Sequence, residues 1–245
     1  MSQVAVIIAA AGKGERFGGG ENKALAKVDG RPAFLRSVEH FINREDVIQT
    51  ILVVGRADQD LVRSKYGANL SFMGVQLVEG GEERMDSVAA ALEHVKAEAE
   101  LVAVHDAARP CVTRSMIDGV FAEAVKTGAA ILAAPIHGTI KRVSAAGVID
   151  ATVPRTDLFE AQTPQVFRRQ LLIDAYAKRP TDAATITDDA QLVELLGHPV
   201  SVVKSDPTNL KITTRADLTL ANAIIKARPP EKPTRGLGAF EEAQW

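Results

Sequence analysis

The sequence predicts a doubly wound α/β fold with a mostly parallel sheet, and three observations carry that prediction. Short apolar, β-branched runs alternate with helical patterns along the 245 residues, the rhythm of repeated strand–helix–strand units. The runs are apolar at successive positions, as in strands covered on both faces. The chain is 46% hydrophobic but only 4% aromatic, so Val, Ile, Leu and Ala must build the core.

In chain order the expected strands are Val4–Ala9, Thr50–Val54, Gly74–Val78, Leu101–His105, Ala129–Ala134 and Pro199–Val203. Helical spacing falls between them at Ala33–Ile42, Asp58–Tyr66, Arg84–Ala97, Arg114–Thr127, Arg168–Ala177, Thr187–Leu196 and Thr214–Ala227. One stretch breaks the pattern. Thr139–Val143 and Val148–Val153 alternate like strands around Ser144-Ala145-Ala146-Gly147, which reads as an inserted hairpin arm over about 137–155. A two-stranded ribbon is marginal alone, so a second subunit is its expected partner. The reading is a single domain over 1–227 and a flexible tail over 228–245, where Pro229, Pro230 and Pro233 prevent a regular element.

The strongest functional signal is V-A-V-I-I-A-A-A-G-K-G-E-R-F-G-G-G-E-N-K from Val4 to Lys23. A buried strand ends in Ala9-Ala10-Ala11-Gly12, small residues that admit a ligand close to the backbone. The loop then carries Gly14, Lys13, Arg16 and Lys23. Backbone N–H groups and convergent cations at a strand's carboxyl end suit a polyphosphate. A P-loop is excluded, because Lys23 is followed by Ala24 and no hydroxyl is placed for a metal. A dinucleotide site is disfavoured: Phe17 stands where the third glycine belongs, and Thr50–Val54 leads into Gly55-Arg56 without an acid for the ribose.

Other constellations fall where a doubly wound sheet gathers its ligands, beyond the carboxyl ends of the strands. Gly80-Gly81-Glu82-Glu83-Arg84-x-x-Ser87 opens a helix after the third strand, with Ser87 able to meet a base or a phosphate. Val104-His105-Asp106-Ala107-Ala108-Arg109-Pro110 puts Asp106 at a strand end, suited to ribose hydroxyls or magnesium, and Arg109 beside it for an anion. Arg155-Thr156, Ala161-Gln162-Thr163-Pro164-Gln165 and Asn209-Leu210-Lys211-Ile212-Thr213 matter only if the chain folds them over the same crevice.

Bulk properties exclude other classes. The 29 basic and 31 acidic residues nearly cancel, so no nucleic-acid or membrane surface is indicated. One cysteine, Cys111, allows no intrachain disulfide and fits a reducing compartment. No leader-like or membrane-length apolar segment is visible, so a cytoplasmic protein is expected. The five histidines lack metal-ligand spacing.

The A-A-G-x-G-x-R-F-G…K segment resembles the start signature of sugar-phosphate nucleotidyltransferases. With G-G-E-E-R-x-D-S-V, V-H-D-A-A-R-P, the hairpin, P-R-T…Q-T-P-Q-x-F, I-T-D-D-A and N-x-K-I-T, the stretch from Val4 to Ile225 is similar to the 2-C-methyl-D-erythritol 4-phosphate cytidylyltransferase family. The resemblance implies transfer of CMP from CTP to a methylerythritol phosphate with release of pyrophosphate, aided by Mg2+, in a homodimer joined through the arm. It implies Arg16 and Lys23 as transition-state cations, and Ala10, Ala11, Gly12, Gly14, Gly81, Glu82, Ser87, Asp106 and Ala107 around the nucleotide. Arg109, Thr139, Arg155, Thr163 and Lys211 would hold the acceptor, and Asp106 a metal. Asn22 stands where relatives commonly carry Pro, which predicts a less rigid loop. The residues leave open the same chemistry on another polyol phosphate such as ribitol 5-phosphate; a non-catalytic sensor is disfavoured, since it needs no transition-state cations.

Overall fold

The first strand sets the architecture, because both of its faces are apolar. In a computed structural model that describes residues 2–12, 17–18, 22–180 and 186–228, β1 (Val4–Ala10) sends Val4, Val6, Ile8 and Ala10 to one side and Ala5 and Ile7 to the other. Side chains alternate across a strand, so such a strand is stable only with cover above and below.

The chain continues through a short ribbon of β2 (Lys27–Val28) and β3 (Arg31–Pro32) into α1 (Ala33–Ile42), β4 (Val47–Val54), α2 (Arg56–Phe72), β5 (Val75–Glu79), α3 (Arg84–Leu92) and β6 (Leu101–Asp106). It then forms α4 (Arg114–Thr127), β7 (Ala129–Pro135), the hairpin of β8 (Ile140–Val143) and β9 (Ile149–Val153), β10 (Phe159–Arg168), α5 (Arg169–Ala177), α6 (Asp189–Leu195), β11 (Ser201–Lys204) and α7 (Arg215–Ala227). The main sheet has seven strands in the order β11-β7-β10-β6-β1-β4-β5. β10 alone runs antiparallel to its neighbours β6 and β7, and the other pairings are parallel. Helices α1, α2 and α4 pack with Phe34, Phe41, Tyr66 and Phe121 against one face. Helices α3, α5 and α6 cover the other with Val88, Leu172 and Val193. The expected α/β fold and its inserted hairpin are both present.

Local chemistry explains the differences from the expected elements. The helix expected over Arg84–Ala97 stops at Leu92 because its carboxyl end tightens: the N–H groups of His94 and Val95 reach back three residues to Ala91 and Leu92. Gln49 of β4 then takes over the next backbone groups, donating to the His94 carbonyl and accepting from Lys96 N–H. Helix α4 ends where expected, at Gly128, whose φ of 88° favours glycine.

β10 is the element that sequence patterning misses, for its middle carries Gln162, Thr163, Pro164 and Gln165. Proline cannot donate to a ladder and normally argues against an interior strand. The strand accommodates it by an irregularity: pairing with β7 jumps from Ala161↔Ala133 to Gln165↔Ile131. Residues 162–164 are thereby released from the β7 ladder and turn their side chains to other work.

Near the end of β10, Phe167 is fully buried between the sheet and its helices. Truncating a buried Phe to Ala costs about 3–5 kcal/mol, so Phe167→Ala should lower the unfolding free energy by that amount in urea titration. A loss below about 1 kcal/mol would show that β10 is not a packed central strand.

Candidate active site

The carboxyl ends of β1 and β6 lie side by side, Ala9 opposite Asp106, and a cleft opens there. Its walls are Ala9, Ala10, Ala11 and Gly12 from the first strand and loop, Asn22, Lys23 and Ala24 beyond it, Arg84 and Ser87 from α3, Asp106 and Ala108 from the end of β6, and Lys211. A Cβ placed on Gly12 would meet no atom of the described residues within 4 Å.

Each wall is fixed by identifiable contacts. Ala107 N–H donates to Ala9 O at 3.0 Å, joining the two strand ends. Gly80 must be glycine, since a Cβ there would lie 2.7 Å from Ser87 Oγ and 2.8 Å from Ala11 Cβ. Asn22 is buried and makes three hydrogen bonds: Nδ2 donates to Ala10 O at 3.1 Å and to Asp58 Oδ2 at 2.6 Å, while Oδ1 accepts from Ala24 N–H at 2.9 Å. These bonds tie Asn22 to β1, to α2 and to Ala24, while most of the loop expected to be less rigid lies outside the described residues. Lys211 is delivered by its neighbour Ile212, fully buried against Phe17, Ala108 and Cys111, with its N–H bonded to Ala108 O at 2.8 Å.

Asp106 is the electrostatic centre. Lys211 Nζ approaches Oδ2 at 2.7 Å, Arg84 Nε approaches Oδ1 at 3.2 Å, and Arg109 Nε lies 3.7 Å from Oδ2. Burial alone would raise the carboxyl pKa, but Lys211, Arg84 and Arg109 outweigh it and hold Asp106 well below the usual carboxylate range. Arg84 in turn spans to Asp189, with Nη2 donating to Oδ2 at 2.7 Å. Burial works against its charge, yet Asp189 and Asp106 together hold its pKa above the ordinary arginine value.

A polar layer supports Asp106 from behind. Its N–H donates to Thr163 Oγ1 at 3.0 Å, and that hydroxyl lies 3.2 Å from His105 Nδ1. His105 Nε2 lies 3.2 Å from Arg109 O, which can only accept. The proton therefore sits on Nε2, and Nδ1 accepts from Thr163. Arg109 donates to Asn209 O at 2.7 Å and Ala161 O at 3.3 Å, while Asn209 Nδ2 donates to Gln162 Oε1 and Thr163 O. Here the residues released by the β10 irregularity find their partners.

Of the sequence-predicted residues, the structure brings Ala10, Ala11, Gly12, Lys23, Ser87, Asp106 and Lys211 to one cleft. Ser87 is buried, its hydroxyl donating to Glu83 O at 3.0 Å. Gly81 and Glu82 are exposed on the loop between β5 and α3, and Ala107 is buried beneath the cleft. Arg109 and Thr163, expected to hold an acceptor, are buried; Arg109 Nη1 donates to Asn209 O, Arg109 Nε makes no hydrogen bond among the described residues, and Thr163 Oγ1 accepts from Asp106 N–H. Thr139 and Arg155 flank the arm and are exposed, with Arg155 donating to His137 O. Lys211 lies in the cleft wall with its Nζ on Asp106. Gly14 and Arg16 lie outside the described residues, as does all of the expected tail but Arg228. Sequence reasoning gave Arg84 no role, although a cation in the first turn of a helix opposes the macrodipole and calls for another reason to be there.

The profile of the family described as 2-C-methyl-D-erythritol 4-phosphate cytidylyltransferase matches residues 4–227. The chain belongs to this family. A family member from Rhodopirellula baltica is 45% identical over 91% of this chain and 95% of its own length. One from Symbiobacterium thermophilum is 40% identical over 91% and 93%. The crystal structure of the Thermus thermophilus cytidylyltransferase superposes with a TM-score of 0.76 at 32% identity, covering 91% of this chain and 99% of that one. Membership in this cytidylyltransferase family makes the chain a nucleotidyltransferase, and the match runs through every element that lines the cleft.

His105 supplies a test of the supporting layer. Burial pushes its pKa down from 6.5 to about 3, so it stays neutral in the fold while the unfolded chain binds a proton below pH 6.5. This group's stability is thus complete above pH 6.5 and is lost as the pH falls toward 3, with a slope approaching about 1.4 kcal/mol per pH unit. In urea titrations from pH 7 to 4, His105→Gln should show a shallower acid decline than the parent. Parallel declines would mean that His105 takes up its proton in the folded state.

Proposed function

We propose that this chain transfers CMP from CTP to 2-C-methyl-D-erythritol 4-phosphate, releasing pyrophosphate, in the formation of isoprenoid precursors. One observation carries the reading: Lys23, Arg84 and Lys211 converge on a single cleft with one carboxylate, Asp106, beside an open small-residue wall. Among the described residues that line the cleft three cations face one anion, a balance that favours a polyphosphate, and the names of the relatives specify the acceptor.

In this reading the acceptor phosphate attacks the α-phosphorus of CTP and pyrophosphate leaves in line. Two polyanions must meet, so the barrier is dominated by repulsion and by charge gathering at phosphorus; fixed cations and alignment lower it. A phosphate monoester is already ionised near neutral pH, so no general base is needed. Ala10, Ala11, Gly12, Gly14, Gly81, Glu82, Ser87, Asp106 and Ala107 surround the nucleotide, with Arg16 and Lys23 on the transferred group. Arg109, Thr139, Arg155, Thr163 and Lys211 hold the acceptor.

Magnesium fits this cleft as a companion of the nucleotide. Among the described residues no three His, Cys, Asp or Glu side chains gather as a metal site, so Asp106 would be the protein's ligand. Its oxygens offer about four lone-pair directions, and the cations already present leave a divalent ion acceptable only with triphosphate oxygens beside it. When bound, the ion would neutralise phosphate charge. The homodimer belongs to the same reading: Val143, Val148 and Ile149 expose 52%, 62% and 59% of their surface on the arm, apolar area that a second subunit would cover. A cytoplasmic location accords with the isolated Cys111.

Pyrophosphate release with CTP and each acceptor in turn tests the activity; methylerythritol phosphate should be used at least tenfold better than ribitol 5-phosphate, and the reverse order would reassign the substrate. Lys23→Ala should lower kcat by about 10²–10³-fold, the cost of one lost transition-state donor, with CTP binding reduced far less. Near-normal turnover would remove Lys23 from the chemistry. Arg155→Ala should raise the acceptor KM while CTP affinity stays level; weakened CTP binding instead would interchange the two half-sites. Val148→Asp with Ile149→Asp should yield monomers in sedimentation velocity, and a persistent dimer would place the interface elsewhere.

A further inference from the structure

The second acid of the I-T-D-D-A motif has no part in the reading above. Asp188 is accounted for locally: it caps α6 by accepting from Gln191 N–H at 3.0 Å and takes Gln165 Nε2 at 2.8 Å. Asp189 is different. It is fully buried, with Oδ2 on Arg84 at 2.7 Å and Oδ1 on the Tyr176 hydroxyl at 2.5 Å. No part of it reaches the cleft, but Arg84, which it holds, does.

We propose that Asp189, together with Tyr176, is a positioning residue for cytidylyl transfer: it fixes the guanidinium plane of Arg84 so that Nε faces Asp106, and thereby holds the cleft floor in register with the nucleotide. This role rests on the activity proposed above. With Nη2 tied to Asp189 and Nε to Asp106, the guanidinium is pinned at two edges and cannot swing onto an incoming phosphate. A single carboxylate would leave it free to rotate. Tyr176 completes the restraint, because its hydroxyl occupies the other oxygen of Asp189 and denies that carboxylate an alternative orientation.

The charges give the role a distinctive signature. Arg84, Arg109 and Lys211 against Asp106 and Asp189 leave the cluster at 3 − 2 = +1; neutralising Asp189 makes it +2. A polyanion should then bind as well or better, while alignment for in-line attack is lost. Damage to the fold alone would not separate binding from turnover in that way.

The test is a kinetic double-mutant cycle on the full chain, measuring kcat and the equilibrium Kd for CTP. Asp189→Asn should lower kcat at least tenfold with the CTP Kd unchanged or smaller, and Tyr176→Phe should act in the same direction but less. In an Arg84→Gln background, Asp189→Asn should change kcat by less than twofold, because the group through which it acts is gone. The same fold-loss in both backgrounds, or a CTP Kd that rises in step with the fall in kcat, would overturn the role. Should Asp189→Asn lose its circular-dichroism spectrum, Tyr176→Phe with and without Arg84→Gln completes the cycle on the same terms. An active wild type with additive losses overturns only the positioning role, whereas an inactive wild type overturns the proposed transfer and this role with it.

Discussion

The structure depends on keeping one buried carboxylate ionised. Asp106 sits at the end of a central strand, 5% exposed, where an unpaired charge would be expensive. Its three cations come from different places: Arg84 from the first turn of α3, Arg109 from the loop after β6, and Lys211 from the segment before α7. A single anion thus draws together segments that are distant in sequence, each anchored by its own packing. Remove the charge and three cations face one another across a cleft with nothing between them.

That requirement explains why a layer of polar side chains lies inside an otherwise aliphatic protein. Gln162, Thr163, His105 and Asn209 fill the space beneath Asp106 with directed hydrogen bonds, where an apolar layer would leave its backbone N–H without the Thr163 hydroxyl as partner. Fully connected buried polar networks rigidify, and half-connected ones are liabilities. The reversed strand β10 makes the arrangement possible, because its irregularity turns three consecutive residues away from the ladder with β7.

How much of this was legible in the sequence follows from which signals are local. Strands such as Val4–Ala10 announce themselves by unbroken apolar runs, and the end of α4 by Gly128, whose left-handed backbone is a local demand. Asp106 was legible too, for a carboxylate that closes a buried apolar strand must face either a ligand or a cation. β10 was not, since Pro164 and three polar neighbours imitate a loop, and only their distant partners make them a strand. Arg84 and Asp189 lie 105 residues apart, and nothing in either motif names the other. The contact of Lys211 with Asp106 was hidden for the same reason: it depends on where Ile212 packs.

The hairpin arm leaves β7 at Pro135 and returns to β10 at Phe159, which pair across the ladder. Because β10 runs backwards, departure and re-entry occur on the same rim of the sheet, the rim where the strands present their carboxyl ends. An insertion at such a point threads nothing and crosses nothing. The ribbon can lengthen, shorten or change its contacts without a single residue of the sheet shifting register, so the arm is free to drift while the floor of the cleft stays put.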